Sequence, residues 1–332
     1  MWILFGIILE PPTRGERNSM VNVESSLSKM NQYLRKPISV EVLDKTLFQM
    51  GHELEDKNPD ALKCDITPDR PDMVSTTGIA RTLNAFLGYQ KGFPKIDKKK
   101  SDYELIVDKS VAGVRPYTAA MVVKNISLSQ EKLDELIWVQ EKIHATFARE
   151  RKKAAIGMYP LKKIHWPITF QAQAPEKISF APLGMQKPLS GREILHEHPT
   201  GKKYAHLLEE MPMFPVFRDS MGNVLSMPPI INSHHVGQVT PVDRDLFVEV
   251  SGHYWPTVSV ILDILAYLFA DMKGDVYEVH VQYNHEKQPR STPELEKVSQ
   301  TLEVKLVNST LGTSFTAAQI SELLARMMYD TV

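Results

Sequence analysis

The chain has 332 residues, of which 42% are hydrophobic and 24% charged, a composition typical of a globular protein long enough for two or three domains. Its 39 lysines and arginines nearly balance 40 aspartates and glutamates, which gives a formal net charge of −1 at pH 7. This balance excludes a protein-wide basic field that would attract RNA, so any RNA contact must depend on local patches.

The beginning of the chain and its cysteine content bear on where the protein works. Residues 1–9 are apolar but fall well short of the roughly 20 residues that span a bilayer. No basic region precedes them and no small-residue cleavage site follows, so they do not predict a signal peptide or a membrane partner. We interpret residues 1–19 as an extension of unknown role. The single Cys64 excludes an internal disulfide, favours the cytoplasm and disfavours a structural zinc site.

Residues 20–92 predict a compact N-terminal α+β module. Its helices are indicated by apolar stripes with a cap or a stop signal at one end. The predicted elements are a helix at 40–50 with Ser39 as its N-cap, a strand at 63–66 and a helix at 76–87 ended by Gly88. Residues 93–102, which follow, predict a linker. Five lysines lie between residues 91 and 101, so an RNA contact is the alternative interpretation of this stretch.

Residues 103–284 predict one larger domain. Segments with period-two and helical apolar patterns alternate along it, which indicates a mixed sheet flanked by helices and an α+β (mixed α/β) class. Strands are predicted at 105–107, 119–123, 154–158, 169–172, 214–217, 224–227, 247–252 and 276–283, and helices at 130–149, 190–196, 202–209 and 256–270.

The remainder of the chain predicts a linker and one last segment. Residues 285–296 are polar and predict the linker. Residues 297–332 predict a strand at 302–307, followed by a helix at 316–329 with Thr316 as its N-cap.

A loop and the strand after it carry the candidate site. Pro228 and Pro229 stiffen the loop and withhold two backbone donors, so the polar residues 232–235 behind them are held in place. Alternation over residues 247–252 puts Glu249 on the same strand face as an aromatic and a hydroxyl side chain. This combination indicates a pocket wall. The alternative is an ordinary turn and a glutamate that faces water.

Several short stretches of the chain are characteristic. They are TPDRPDMVS followed by GIAR within 67–81, VRPY at 114–117, LIWVQEK at 136–142, RKKAAIG at 151–157, FAPLG at 180–184 and the whole of 214–252. Together they resemble the β subunit of phenylalanyl-tRNA synthetase of the archaeal and eukaryal type, in its N-terminal part including the tRNA-editing domain. The resemblance runs from about residue 20 to residue 332.

The resemblance implies a domain plan and an activity. It makes 103–284 the tRNA-editing domain and 297–332 the start of a truncated next module. In the family, the β subunit of phenylalanine–tRNA ligase hydrolyses tyrosine mischarged on phenylalanine tRNA. The α subunit, its partner in a heterotetramer, carries aminoacylation with ATP and Mg²⁺, whose sites are not in this chain. Editing itself is expected to need no cofactor and no metal.

Three positions are implied to take part in the hydrolysis. By resemblance, Ser226 and Asn232 are expected to orient the ester or the attacking water. His235 is a candidate general base near neutral pH. The alternative for His235 is a surface or capping histidine.

Three further positions are implied to contact the substrate. They are Phe217, Glu249 and Ser251, which stand where archaeal relatives tend to have an aliphatic residue, aspartate and threonine. Phenylalanine and tyrosine differ by one hydroxyl, which an apolar pocket cannot select but a hydrogen-bonding group can. We therefore expect Glu249 to contact the tyrosine hydroxyl.

Two rival functions remain open. The substitutions at the three substrate positions favour a non-catalytic tRNA-binding or assembly scaffold with a decayed editing pocket. The other rival is a free-standing deacylase that acts in trans. Arg70 and Asp72 are interpreted as a buried turn lock, and His198 and His206 as structural residues.

Overall fold

The computed structural model describes residues 21–284 and 289–332. The predicted extension 1–19 and part of the predicted linker, residues 285–288, lie outside the described residues. The strands are β1 (Val21–Ser25), β2 (Glu53–Asp56), β3 (Leu62–Ile66), β4 (Glu104–Val107), β5 (Tyr117–Lys124), β6 (Ala154–Pro160), β7 (Ile168–Gln173), β8 (Ser179–Phe180), β9 (Leu189–Ser190), β10 (Phe214–Arg218), β11 (Val224–Met227), β12 (Ile231–Asn232), β13 (Leu246–Gly252), β14 (Asp275–Tyr283) and β15 (Arg290–Thr292). The helices are α1 (Leu27–Tyr33), α2 (Val40–Gln49), α3 (Thr76–Phe86), α4 (Gln130–Ala145), α5 (Gly191–Glu197), α6 (Pro199–Tyr204), α7 (His234–Gly237), α8 (Trp255–Asp271), α9 (Val304–Leu311) and α10 (Ala317–Arg326).

The described residues form two compact units. Unit 1 contains residues 21–96 and 296–332, and unit 2 contains the described residues of 97–295. This grouping differs from the predicted domain plan, in which 297–332 begin a separate module. Within unit 1 the last helix packs near α3, and the Arg326 guanidinium donates a hydrogen bond to the carbonyl oxygen of Phe86 (2.8 Å). None of the described helices is long and apolar enough to cross a membrane.

Unit 1 is built on a three-stranded antiparallel sheet in the order β1–β3–β2. As predicted, α2 begins after Ser39, whose hydroxyl accepts a hydrogen bond from the amide of Val42. The helix α3 ends just before Gly88, which takes the left-handed conformation (φ +74°) that favours glycine. The buried apolar side chains of this unit come from both helices and strands; they include Val23, Met30, Leu43, Leu62 and Ile79.

Arg70 and Asp72 form the buried turn lock that the sequence indicates. The Arg70 guanidinium makes two parallel hydrogen bonds, both 2.9 Å, to the Asp72 carboxylate, and a third of 3.0 Å to the Thr82 hydroxyl. Burial alone would raise the pKa of Asp72, but the charges of Arg70 and Arg81 and these hydrogen bonds hold it below its ordinary value. The lock ties the turn to α3, so its role is structural.

Residues 302–307 are predicted as a strand, and this prediction is wrong, because residues 304–311 form the helix α9. The alternating pattern needs a neighbouring strand to pair with, and α9 pairs with none in the described parts of the chain. A helix satisfies its own backbone groups, and Gly312 ends it with a left-handed residue (φ +65°). The next prediction is confirmed, since Thr316 and Gln319 form a reciprocal capping box at the start of α10.

Unit 2 contains a ten-stranded mixed sheet whose strands follow the order β12–β11–β10–β7–β4–β14–β5–β13–β6, with β15 beside β14. The strand β4 pairs in parallel with β7 and β14, and the other pairs are antiparallel. The helix α8 covers β5 and β13. This arrangement confirms the predicted mixed α+β class.

Two helices of unit 2 are shorter than predicted. The helix predicted at 130–149 ends at Ala145, and Arg149, Glu150 and Arg151 further along all take positive φ angles (+49°, +51° and +64°). The helix predicted at 202–209 is α6, which ends at Tyr204 and continues as one 3₁₀ turn. In both places the backbone turns at residues whose local sequence still favours a helix.

Breaking the turn lock should destabilise unit 1 selectively. We expect Asp72→Asn to lower the local stability of α3 by about 3–5 kcal/mol, because the buried Arg70 guanidinium loses its carboxylate. Amide hydrogen exchange along α3, measured by mass spectrometry, checks this. The control is Asp44→Asn, which removes an exposed pair with Lys57 and should change stability by less than about 1 kcal/mol. Equal effects from the two variants would contradict the assignment.

Candidate functional site

The candidate site lies where the two ends of the large sheet meet. The strands β12 and β6 stand at opposite ends of the strand order, yet the Asn232 side-chain amide donates to the Met158 carbonyl oxygen (3.4 Å). The Tyr159 hydroxyl of β6 reaches the Ser226 hydroxyl of β11 (2.7 Å). The sheet of unit 2 therefore curls until its ends adjoin, and the side chains on its concave face converge.

Glu249 lies at the middle of β13, between Ala120 of β5 and Gly157 of β6. Every residue of β13 is buried. The Glu249 carboxyl is therefore an interior group, and the alternative of a glutamate that faces water is wrong. Its Oε1 atom lies 3.0 Å from the Tyr159 hydroxyl, whereas its Oε2 atom has no hydrogen-bond partner among the described residues.

Burial determines the charge of this carboxyl group. It raises the pKa of Glu249 to about 8, although the contact with Tyr159 and the charge of Arg115 act in the opposite direction. The group therefore holds its proton at neutral pH. A phenol has one hydrogen, so Tyr159 cannot donate to two partners at once. A protonated Glu249 that donates to Tyr159, which in turn donates to Ser226, satisfies both contacts.

Tyr159 is fully buried and links two of the predicted site residues. Its ring stacks on Phe247 with centroids 5.7 Å apart. Gly157 precedes it on the same strand face, and a Cβ atom at Gly157 would overlap both the Tyr159 hydroxyl and the Glu249 carboxyl. Glycine is required here by the close approach of these two groups.

The structure brings together Ser226, Asn232 and Glu249. Ser226 and Asn232 lie directly opposite each other on β11 and β12, and Ser226 shares the Tyr159 hydroxyl with Glu249. The Asn232 side chain is half-buried and so remains accessible to water. These three side chains lie around residues 157–159 of β6.

The other three predicted residues have different surroundings. His235 lies in the short helix α7 with an exposed side chain, and no described residue of the cluster hydrogen-bonds to it. Phe217 is fully buried and stacks on Phe170 (4.2 Å between centroids), so it belongs to the hydrophobic core. The Ser251 hydroxyl accepts a hydrogen bond from Arg115 (3.1 Å).

Sequence reasoning missed Tyr159 and Arg115. The stretch RKKAAIG ends at Gly157, and period-two alternation would have put Tyr159 on the same face as that glycine. The Arg115 guanidinium is buried and binds the hydroxyl and the carbonyl oxygen (2.7 Å) of Ser251, a residue 136 positions away. No group of three or more metal-ligating side chains occurs within residues 21–284 and 289–332.

Comparison with known proteins gives a consistent result. The chain is 33% identical over 316 residues to the phenylalanine–tRNA ligase β subunit of Pyrococcus horikoshii, which covers 94% of this chain and 56% of that protein. It is 37% identical over 284 residues to that of Archaeoglobus fulgidus, covering 86% and 51%. The chain thus spans about half the length of these relatives. No protein-family model matches it.

A solved structure is also similar. The crystal structure of an N-terminal fragment of the phenylalanyl-tRNA synthetase β subunit from Pyrococcus horikoshii superposes with a TM-score of 0.88 at 33% identity, covering 93% of this chain and 90% of that one. These likenesses are all to subunits of an aminoacyl-tRNA synthetase. The chain belongs to the phenylalanine–tRNA ligase β-subunit family and corresponds to its N-terminal part, of archaeal type. The resemblance seen in the sequence is thereby confirmed.

The raised pKa of Glu249 predicts a pH-dependent stability of unit 2. Between pH 5 and 8 the unfolded chain releases the Glu249 proton while the folded chain keeps it, so stability falls as pH rises. Between pH 5 and 8, the free energy of unfolding of Glu249→Gln should fall by roughly 3 kcal/mol less than that of the unchanged chain. Urea unfolding followed by tryptophan fluorescence at pH 5 and pH 8 checks this. Parallel pH profiles of the two proteins would show that Glu249 is ionised in the fold.

Proposed function

We propose that unit 2 hydrolyses tyrosine that has been mischarged on phenylalanine tRNA. The observation that carries the proposal is the convergence of the Glu249 carboxyl and the Ser226 hydroxyl on a phenolic hydroxyl, that of Tyr159. A site that selects tyrosine against phenylalanine needs hydrogen-bonding groups of this kind in a buried place. Glu249 and Ser226 already bind the hydroxyl of Tyr159, the same chemical group that a substrate tyrosine would present.

Tyr159 acts in this proposal as a positioning residue. It holds Oε1 of Glu249, which leaves the buried Oε2 atom without a described partner. An unpaired buried oxygen costs about 1–3 kcal/mol, so a ligand hydroxyl that pairs with it recovers this free energy. Oε2 is the atom that we assign to the hydroxyl of the substrate tyrosine.

Ser226 and Asn232 are assigned to the ester. Water adds to the ester carbonyl carbon, the bond to the ribose oxygen breaks, and that oxygen takes up the proton as tyrosine leaves. An aminoacyl ester is already labile, so holding the water and the developing oxyanion in place suffices. The proposed reaction therefore uses no cofactor and no metal. The exposed position of His235 favours a surface role for that residue over general-base catalysis.

The partners follow from the family and are part of the proposal. Phenylalanine tRNA is the RNA substrate, and the α subunit is the protein partner in a cytoplasmic heterotetramer. Aminoacylation, with its ATP and Mg²⁺, is assigned to that partner. This chain then contributes proofreading to an enzyme whose synthetic site lies elsewhere.

A non-catalytic scaffold is the second candidate, and one observation favours it. The Tyr159 side chain is itself fully buried between Ser226 and Glu249, so it fills space that a substrate ring would otherwise use. A deacylase that acts in trans as a separate chain is distinguished from a subunit by whether the isolated chain is active without its partner.

A deacylation assay tests the proposal directly. The full chain should release tyrosine from phenylalanine tRNA faster than it releases phenylalanine. Glu249→Leu keeps the volume but removes the hydrogen bonds, and it should reduce this preference by about tenfold, equivalent to about 1.4 kcal/mol. The matched control is Glu278→Leu, at another buried strand glutamate of unit 2. No release above the spontaneous rate would leave the scaffold as the function.

The role of Tyr159 has a separate test. Tyr159→Phe should slow release of tyrosine by about fivefold, because one hydrogen bond that orients Glu249 is lost at a cost of about 1 kcal/mol. Release of phenylalanine should not change, and neither rate should change in Tyr204→Phe. A faster release of tyrosine by Tyr159→Phe would instead show that the Tyr159 hydroxyl occupies the place of the substrate hydroxyl.

A further inference from the structure

A basic cleft lies in unit 2, in a region that the proposed reaction does not use. Its volume is about 40 Å³, enough for several water-sized groups. The residues that define it here are Arg115, Arg151, Lys152, Leu207, Pro229 and His253. Lys152 and His253 are exposed, whereas the two arginines are buried. None of the residues that line it is acidic.

Arg151 is held rigidly at the cleft. Its guanidinium donates to the carbonyl oxygens of Pro229 (3.2 Å) and Ile230 (3.0 Å) and to the Glu141 carboxylate (2.8 Å). It also lies over the Tyr204 ring, 4.4 Å from the centroid. Its Nε atom is nevertheless buried without a hydrogen-bond partner in the described residues. A fixed guanidinium with one unused donor is a group prepared for an acceptor.

Arg115 adds a second buried positive charge. No carboxylate of the described residues forms an ion pair with it, and burial lowers the pKa of its guanidinium to about 10, so it stays charged at neutral pH. Glu249, the buried acid that acts on it electrostatically, keeps its proton under the same conditions. The cleft is lined by three cationic side chains, those of Arg115, Arg151 and Lys152, of which Arg151 forms an ion pair with the Glu141 carboxylate. An uncompensated buried charge is costly, and an anion would relieve it.

The backbone that carries this charge is strained. Arg149, Glu150 and Arg151 are three consecutive residues with positive φ, none of them glycine. Each such residue costs of order 1 kcal/mol or more, and such strain persists where the surroundings enforce it, often at binding sites. Here it directs Arg151 and Lys152 to the same cleft.

We propose that the basic cleft binds a phosphate group. Arginine guanidinium groups pair with phosphate oxygens through several charge-assisted hydrogen bonds, and a flexible lysine adds a point charge at the rim. The phosphate is either free or part of an RNA backbone, and both sources share this chemistry. The proposed hydrolysis uses none of the residues that line the cleft, and only the choice of RNA as one source rests on that function.

The test uses inorganic phosphate and the full chain in isothermal titration calorimetry. Phosphate should bind at one site. Leu207→Glu places a carboxylate at the cleft and should weaken binding by at least about tenfold, because like charges repel. Glutamine has the shape of glutamate without its charge, so Leu207→Gln should bind phosphate with an affinity within about twofold of that of the unchanged chain. This pair avoids replacing a buried arginine, which could prevent folding.

A second pair of variants and an RNA arm complete the test. Lys152→Met should weaken phosphate binding by about threefold, whereas Lys177→Met, at an exposed site elsewhere on unit 2, should not. A short single-stranded RNA that competes with phosphate identifies the backbone as the source, and one that does not compete identifies free phosphate. The proposal would be overturned if phosphate did not bind, if all variants bound phosphate equally, or if acetate bound more tightly than phosphate. Deacylation is not measured, so this failure is distinct from failure of the proposed hydrolysis.

Discussion

The protonation of one buried carboxyl group is the constraint on which the second unit depends. Glu249 lies on a strand that is covered on both sides, where an ionised carboxylate would lose its hydration without a compensating partner. The fold resolves this by keeping the proton and by supplying Tyr159 and Ser226 as a hydrogen-bonded chain. Arg115, although close enough to act on Glu249 electrostatically, binds Ser251 instead. A neutral acid and an unbalanced guanidinium therefore coexist in the same interior.

The same hydrogen bonds join the two ends of the sheet. Edge strands of a sheet that expose unpaired backbone groups invite pairing with other chains. In unit 2 the side chains of Tyr159 and Asn232 reach from one end of the strand order to the other, so the interior of the curled sheet is shared by strands distant in sequence. The candidate site and the closure of the sheet are thus one arrangement.

Local sequence patterns predict the elements that carry their own boundary signals. Ser39 and Thr316 cap helices where expected, and alternation turns Glu249 toward the other site residues. Prediction fails where distant partners decide the structure. Residues 304–311 have no neighbouring strand to pair with in the part of the chain that the structure describes, and they form a helix. Tyr159 contacts Glu249, which lies 90 positions away in the sequence, and no local pattern predicts a contact at that separation. The hydrogen-bonding partners of the site are set by the three-dimensional fold, because they come from strands that are distant in the sequence.

Gly157 has a consequence for how such a chain is able to vary over evolutionary time. Its missing side chain is the space into which the Tyr159 hydroxyl and the Glu249 carboxyl extend. A side chain there would collide with both groups, and an aspartate at position 249, one methylene shorter, would relieve only the clash with the carboxyl, because the Tyr159 ring and hydroxyl would still occupy the place of the added methyl group. Position 157 is therefore able to accept a larger residue only if positions 159 and 249 both change with it.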